Sequence, residues 1–222
     1  MRRKFMSENN QFLKNVVKDW IFRIKKSPLK NKQTKLLLLL HGHLGNENSM
    51  WILANPLPET YTFIAPRAPI KTGENQYSWH KINPHWPSLD DYGNLAEKLM
   101  ERISLLLEEL VLDYDQYHVM GFSQGAVMAY ALAFLYPDII GKVAAVASFI
   151  PHSWLSKIDP GSIKNKPFFI AHGTEDEIIP IEKAASSAEW LETQGANITF
   201  CKANIGHKIS ANCFKGLENF FD

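Results

Sequence analysis

Short apolar runs alternate with longer stretches of helical periodicity along most of the chain. Leu36 to Leu40, Tyr61 to Ala65, Tyr117 to Met120, Val143 to Phe149, Pro167 to Ala171 and Ile198 to Cys201 read as buried strands. Between and after them, Tyr92 to Leu110, Gln124 to Leu135, Ile181 to Thr193 and Lys208 to Phe221 read as helices. In the first of these, Leu95, Leu99, Ile103, Leu106, Leu107 and Leu110 recur at helical spacing and form a stripe that can pack on a sheet. Trp20, Phe22 and Ile24 alternate with Ile21, Arg23 and Lys25, as expected of an early strand with one buried face. Upstream, Phe12, Leu13, Val16 and Val17 suggest a short amphipathic helix. Strands alternating with helices imply an α/β fold, a mainly parallel sheet with helices on both faces. The expected division is a basic N-terminal extension over 1–18 and a single domain over 19–222.

Composition narrows the class. The 222 residues are 45% hydrophobic and 21% charged, ordinary for a soluble globular protein able to bury one sizeable core. The net charge of +1 conceals an asymmetry: eleven lysines and arginines among the first 35 residues face only Glu8 and Asp19, which leaves the remainder acidic by eight charges. A solvated basic extension balancing an acidic body accounts for this without a nucleic-acid partner. No run approaches the roughly 18 apolar residues that span a bilayer, so stable membrane insertion is not expected. Met1-Arg2-Arg3-Lys4 lacks the apolar segment and cleavage site of a signal peptide, and a cytoplasmic location follows as the expectation. Cys201 and Cys213 have neither metal-ligand nor CxxC spacing and are expected as buried free thiols.

The chemistry centres on Gly121-Phe122-Ser123-Gln124-Gly125, a GxSxG sequence between an apolar strand and a helix of small residues. In that context the serine sits on a sharp turn with its hydroxyl exposed above the sheet. A serine hydroxyl is a poor nucleophile until a base takes its proton and a third group orients that base. In open sheets such partners lie beyond the carboxyl ends of strands. Two downstream loops qualify: His172-Gly173-Thr174-Glu175-Asp176-Glu177, with three adjacent carboxylates, and Asn204-Ile205-Gly206-His207. The order serine, acid, histidine is that of the α/β-hydrolases.

The segments LLLLLHGHLGNE, FIAPRAP, GFSQGA, HGTEDEIIP and GH, in this order from about Trp20 to the C-terminus, resemble the phospholipase/carboxylesterase family of α/β-hydrolases. That family includes acyl-protein thioesterases and small bacterial carboxylesterases. The resemblance implies an α/β-hydrolase fold with Ser123 as nucleophile, Asp176 as orienting acid and His207 as general base. His172, the other histidine near the acidic loop, falls in the family's His-Gly step and is expected to shape the turn.

The tetrahedral intermediate carries a negative oxygen that needs backbone donors. One should be the N–H of Gln124, which follows the nucleophile at a helix N-terminus. The second should come from the loop His41-Gly42-His43-Leu44-Gly45; the family pattern points to His43, and Leu44 is the alternative because a histidine departs from the commoner small or leucine residue there. No carboxylate or cysteine partners His41 or His43 at metal-ligand spacing, so neither a metal nor a cofactor is expected. The long segment after Arg67, rich in proline and aromatic residues, runs near the acyl pocket in the family, which implies that Trp79, Trp86, Phe149 and Trp154 line an apolar groove. The expected activity is hydrolysis of small to medium acyl esters or thioesters through an acyl-enzyme, by a monomer or homodimer. The alternatives are a thioesterase or lysophospholipase acting on long acyl chains, and a non-catalytic binding protein with this fold.

Overall fold

The computed structural model describes residues 12–29, 34–82 and 86–222. Among the described residues ten strands and five α-helices follow one another as β1 (Phe12–Val17), β2 (Trp20–Lys25), β3 (Lys35–Leu40), α1 (Trp51–Ala54), β4 (Tyr61–Pro66), β5 (Ile70–Gly73), β6 (Gln76–Ser78), α2 (Leu89–Leu110), β7 (Tyr117–Phe122), α3 (Gln124–Leu135), β8 (Ile140–Val146), β9 (Pro167–Gly173), α4 (Ile181–Thr193), β10 (Asn197–Ala203) and α5 (Ala211–Phe221), with two short 3-10 helices, His152–Lys157 and Pro160–Ile163, between β8 and β9. Eight strands form one sheet in the order β1-β2-β4-β3-β7-β8-β9-β10. From β4 to β10 all neighbours are parallel, and β2 runs antiparallel to both β1 and β4.

The five leucines of β3 explain how the sheet is covered. Leu36, Leu38 and Leu40 enter the core beneath α2, α3 and α4, whereas Leu37 and Leu39 enter the core beneath α1 and α5. All five have zero exposure, as a strand flanked by helices on both faces requires. Helix α3 is buried on nearly every side, consistent with its run of alanines and large apolar residues. Helix α2 instead shows the expected stripe, with Leu99, Ile103, Leu106 and Leu107 buried. It starts at Leu89, ahead of the expected Tyr92, because Ser88 and Asp91 close a reciprocal capping box.

Three expectations are corrected. Phe12 to Val17 is not a helix but the edge strand β1, joined to β2 by Lys18 and Asp19, whose φ values of +43° and +71° make a tight hairpin turn. The expected extension over 1–18 therefore contributes its last part to the sheet, and its residues 1–11 lie outside the described residues. The strand expected to reach Phe149 stops at Val146, since Ala147 at φ +51° turns the chain out of the sheet. Cys201 on β10 and Cys213 in the first turn of α5 form a disulfide rather than free thiols, with Cα atoms 5.5 Å apart. Both belong to the α5 side of the core, a proximity that follows from packing α5 on β9 and β10. Among the described residues no helix is long and apolar enough to cross a membrane.

A very close backbone approach lies at the start of α3. A Cβ on Gly125 would meet the Leu40 carbonyl oxygen at 2.1 Å and that of His41 at 2.4 Å, so the helix can enter beneath the end of β3 only with glycine there. Gly125→Ala is expected to lower the melting temperature by roughly 5–10 °C through forced backbone displacement, measured by calorimetry; an unchanged value would show that the crossing has slack.

Candidate active site

Four loops at the carboxyl ends of neighbouring parallel strands meet above the sheet: those following β3, β7, β9 and β10. Ser123 occupies the single residue between β7 and α3 at φ +51° and ψ −119°, an unfavourable backbone conformation for a side chain with a Cβ. Its N–H donates to the Val146 carbonyl at 2.8 Å, which pins the turn to the neighbouring strand. The N–H of Gln124 is one of the orphan donors of the α3 N-terminus.

Asp176 is buried in the loop after β9. Its Oδ1 accepts from the N–H groups of Ile178 and Ile179, each at 2.9 Å, and its Oδ2 lies 2.7 Å from His207 Nδ1. Burial by itself raises the pKa of this carboxyl, but the Ile179 N–H, His207 and the Ile178 N–H together outweigh it and hold the group below the usual carboxylate range. A carboxylate acceptor at Nδ1 places the proton of a neutral His207 there and leaves Nε2 as the basic nitrogen. The His207 ring meets the Phe122 ring edge-on at 5.1 Å, beside the serine turn. Among the described residues no hydrogen bond joins Ser123 Oγ to His207.

Two features hold the loop bearing His207. A Cβ on Gly173 would lie 2.1 Å from the Ile205 carbonyl oxygen, so the loop rests directly on the backbone at the end of β9. The Cys201–Cys213 disulfide closes the segment on either side of it. His172 is fully buried and shapes the acidic loop as expected: its Nε2 lies 2.8 Å from the Ile179 carbonyl and 3.3 Å from Asp176 Oδ2.

The loop after β3 is fixed by groups that the sequence did not single out. The Ala68 N–H donates to His41 Nε2 at 3.0 Å, so His41 carries its proton on Nδ1 and donates it to the Gly42 carbonyl at 2.7 Å. Burial lowers the His41 pKa to about 4, only partly countered by the Gly42 bond, and the ring is neutral at physiological pH. Arg67 forms two 2.6 Å bonds to the buried Glu47 carboxylate, tying the end of β4 to the same loop. Glu47 and Arg67 lie within the segments LLLLLHGHLGNE and FIAPRAP, but neither segment names the partner, which lies 20 residues away. His43 and Leu44 occupy a turn closed by Gly45 N–H to Gly42 O at 3.1 Å, with Leu44 at φ +63° and exposed.

The four expected aromatic wall residues divide into two pairs. Trp86 and Phe149 stack edge-to-face at 4.9 Å and line a groove of about 610 Å³ with Ile150, Pro151 and Leu155. Trp79 and Trp154 are buried and do not line it. Their indole N–H groups need acceptors and find them in the backbone, Trp79 at the His41 carbonyl (2.7 Å) and Trp154 at the Pro87 carbonyl (3.0 Å). Another groove, of about 450 Å³, lies beside the serine turn and is lined by Gly42, His43, Leu44, Leu53, Phe122 and Ile209.

The profile of the family described as Phospholipase/Carboxylesterase matches residues 23–222. The chain belongs to this family. It is 28% identical over 221 residues to acyl-protein thioesterase 1 of Emericella nidulans, covering 88% of this chain and 92% of that one. It is 29% identical over 173 residues to the carboxylesterase SOBER1 of Arabidopsis thaliana, with 72% and 75% covered. In fold it is similar to the Bacillus cereus carboxylesterase, at a TM-score of 0.78 and 22% identity over 90% of this chain and 92% of that one. The carboxylesterase of Mesorhizobium loti gives a TM-score of 0.78 at 20% identity, with 93% and 97% covered. The α/β-hydrolase fold and membership of this hydrolase family thus agree with the motif order in the sequence.

Acid should weaken this fold through the buried His41 and the partly buried His118. Burial lowers both His41 and His118 to about 4, from 6.5. The unfolded chain therefore binds more protons between pH 6.5 and 4, and stability falls as pH drops through that window. Below it, these two groups add no further loss. A histidine shifted this far contributes on the order of 3 kcal/mol across the window. Urea melts between pH 7.5 and 4 should show this decline, and His118→Gln should flatten part of it; an identical slope in the variant would exclude His118 as a source.

Proposed function

We propose that the chain is a serine hydrolase of carboxylic esters and thioesters in which Ser123 is the nucleophile, His207 the general base and Asp176 the group that orients His207. The 2.7 Å contact between His207 Nδ1 and Asp176 Oδ2, beside the strained serine turn, carries this reading. His207 Nε2 takes the Ser123 proton as Oγ attacks the acyl carbon, and then returns it to the departing alkoxide or thiolate. It next deprotonates a water that attacks the acyl-enzyme, releasing the carboxylic acid and regenerating the serine. The low-lying Asp176 carboxyl stays ionised and stabilises the imidazolium formed in each step.

The oxyanion is assigned to the Gln124 N–H and the His43 N–H. A methyl group on Gly42 would lie 3.4 Å from the Ser123 Cβ, which puts the start of this loop beside the nucleophile and supports the next N–H along the chain, that of His43, with Leu44 as the alternative. The Trp86–Phe149 groove suits an apolar acyl chain of small to medium length. The name of the Emericella nidulans relative, acyl-protein thioesterase 1, supports a second reading, thioester cleavage of acyl groups on proteins, for which long chains are the alternative substrates to be tested. Free thiols would have fitted the cytoplasmic location expected from the sequence; the Cys201–Cys213 disulfide lends it no such support.

A fluorophosphonate probe is expected to label the wild type and leave Ser123→Ala unlabelled; equal labelling would remove the nucleophile assignment. Asp176→Asn should lower kcat by on the order of 10³–10⁴-fold while the protein remains folded. In a p-nitrophenyl ester series, activity peaking at or below about eight carbons supports the medium-chain reading. A continuing rise, of up to about 0.8 kcal/mol per CH₂ buried, supports the long-chain one.

A further inference from the structure

The segment Tyr77 to His80 is stitched to both sides of the proposed oxyanion hole. On one side the Tyr77 N–H donates to the Gly45 carbonyl at 2.9 Å and the Trp79 indole N–H to the His41 carbonyl at 2.7 Å. On the other, the Trp79 backbone N–H donates to Gln124 Oε1 at 2.8 Å, and Gln124 Nε2 donates to the His80 carbonyl at 3.2 Å. One side chain joins the two sides. Ser78, which has zero exposure, places its Oγ 2.6 Å from the His80 carbonyl, 2.9 Å from Gln124 Oε1 and 3.0 Å from His43 Nδ1.

Counting protons fixes the direction of this chain. The Ser78 hydroxyl has one hydrogen, and both neighbouring oxygens are acceptors only. The Gln124 amide is oriented by the Trp79 N–H on one end and the His80 carbonyl on the other, so its oxygen does face Ser78. If His43 Nδ1 also accepted, at least two of the three contacts would set lone pair against lone pair. His43 Nδ1 therefore donates to Ser78 Oγ, and the single Ser78 hydrogen is shared in a bifurcated bond between the His80 carbonyl, the nearer at 2.6 Å, and Gln124 Oε1 at 2.9 Å. The residues at the two ends, His43 and Gln124, are those whose backbone N–H groups are assigned to the oxyanion.

We propose that Ser78 is a positioning residue for the oxyanion hole, its hydroxyl setting the spacing between the loop after β3 and the first turn of α3. The proposal rests on the reading of Ser123 as nucleophile with Gln124 and His43 as donors. Ser78 lies behind the hole and touches neither the substrate nor the reacting atoms in that reading. Its effect is on the transition state because ground-state binding does not require a tightly spaced pair of donors, whereas the developing oxyanion does.

Ser78→Ala is expected to lower kcat on an ester that the wild type turns over by about 10- to 100-fold, less than outright loss of a donor, with KM within about twofold. Affinity for a trifluoromethyl ketone, whose hemiketal oxygen occupies the hole, should fall in proportion to kcat/KM. Ser78→Cys keeps the side chain's place with a weaker donor, and should fall between the two; it replaces the alanine variant if that one does not fold. A folded variant whose kcat stays within twofold of wild type, or whose loss appears in KM alone, overturns the proposal. Undiminished turnover by Ser123→Ala would instead overturn the reading beneath it.

Discussion

The contact on which the site depends is the passage of α3 beneath the end of β3. Gly125 brings the helix backbone against the Leu40 and His41 carbonyls, where no side chain fits. That approach forces the one-residue turn at Ser123 into its strained conformation and sets the loop after β3 beside the same turn. A looser crossing would allow Ser123 to relax and would separate the two peptide segments that face it. The cost is borne by burial: α3 is apolar on nearly every side and lies within the larger of the two cores.

Around this crossing the parallel sheet performs one geometric task. Because β3, β7, β9 and β10 run the same way, the loops that follow them open at one edge. The residues proposed as nucleophile, acid and base, separated by dozens of positions, are thereby carried on loops at that one edge. The polar groups behind them are buried and paired with backbone. Asp176 accepts two N–H groups, His41 bridges Ala68 and Gly42, and Trp79 caps the His41 carbonyl. Such satisfied pairs are costly to rearrange in a low-dielectric interior, so they hold the loops without relying on regular secondary structure.

Much of this was legible along the chain. The β3 leucine run, the α2 stripe, the bounds of α4 and the GFSQG turn follow from periodicity and local chemistry, and the fold class follows from their alternation. Local reading failed where long-range contacts decide. Phe12 to Val17 has the spacing of a short helix, but pairing with β2 makes it a strand. Trp154 has the composition of a groove wall, yet its indole N–H draws it to the buried Pro87 carbonyl, while Trp79, bonded to the His41 carbonyl, lines a groove with Trp86 apart from the Trp86–Phe149 one. The cysteines have no informative spacing, and only the packing of α5 on the sheet brings them together.

By itself the sequence determined the layered α/β class through periodicity and the family through its ordered motifs, and that resemblance pointed to the residues proposed as nucleophile, acid and base. Only the tertiary structure decided which groups hold them. The Asp176–His207 pair, the Glu47–Arg67 tie and the Ser78 link between His43 and Gln124 join distant segments through single hydrogen bonds and ion pairs. Such contacts leave no periodic trace in a chain, since they exist only after the hydrophobic layers have brought their partners within reach.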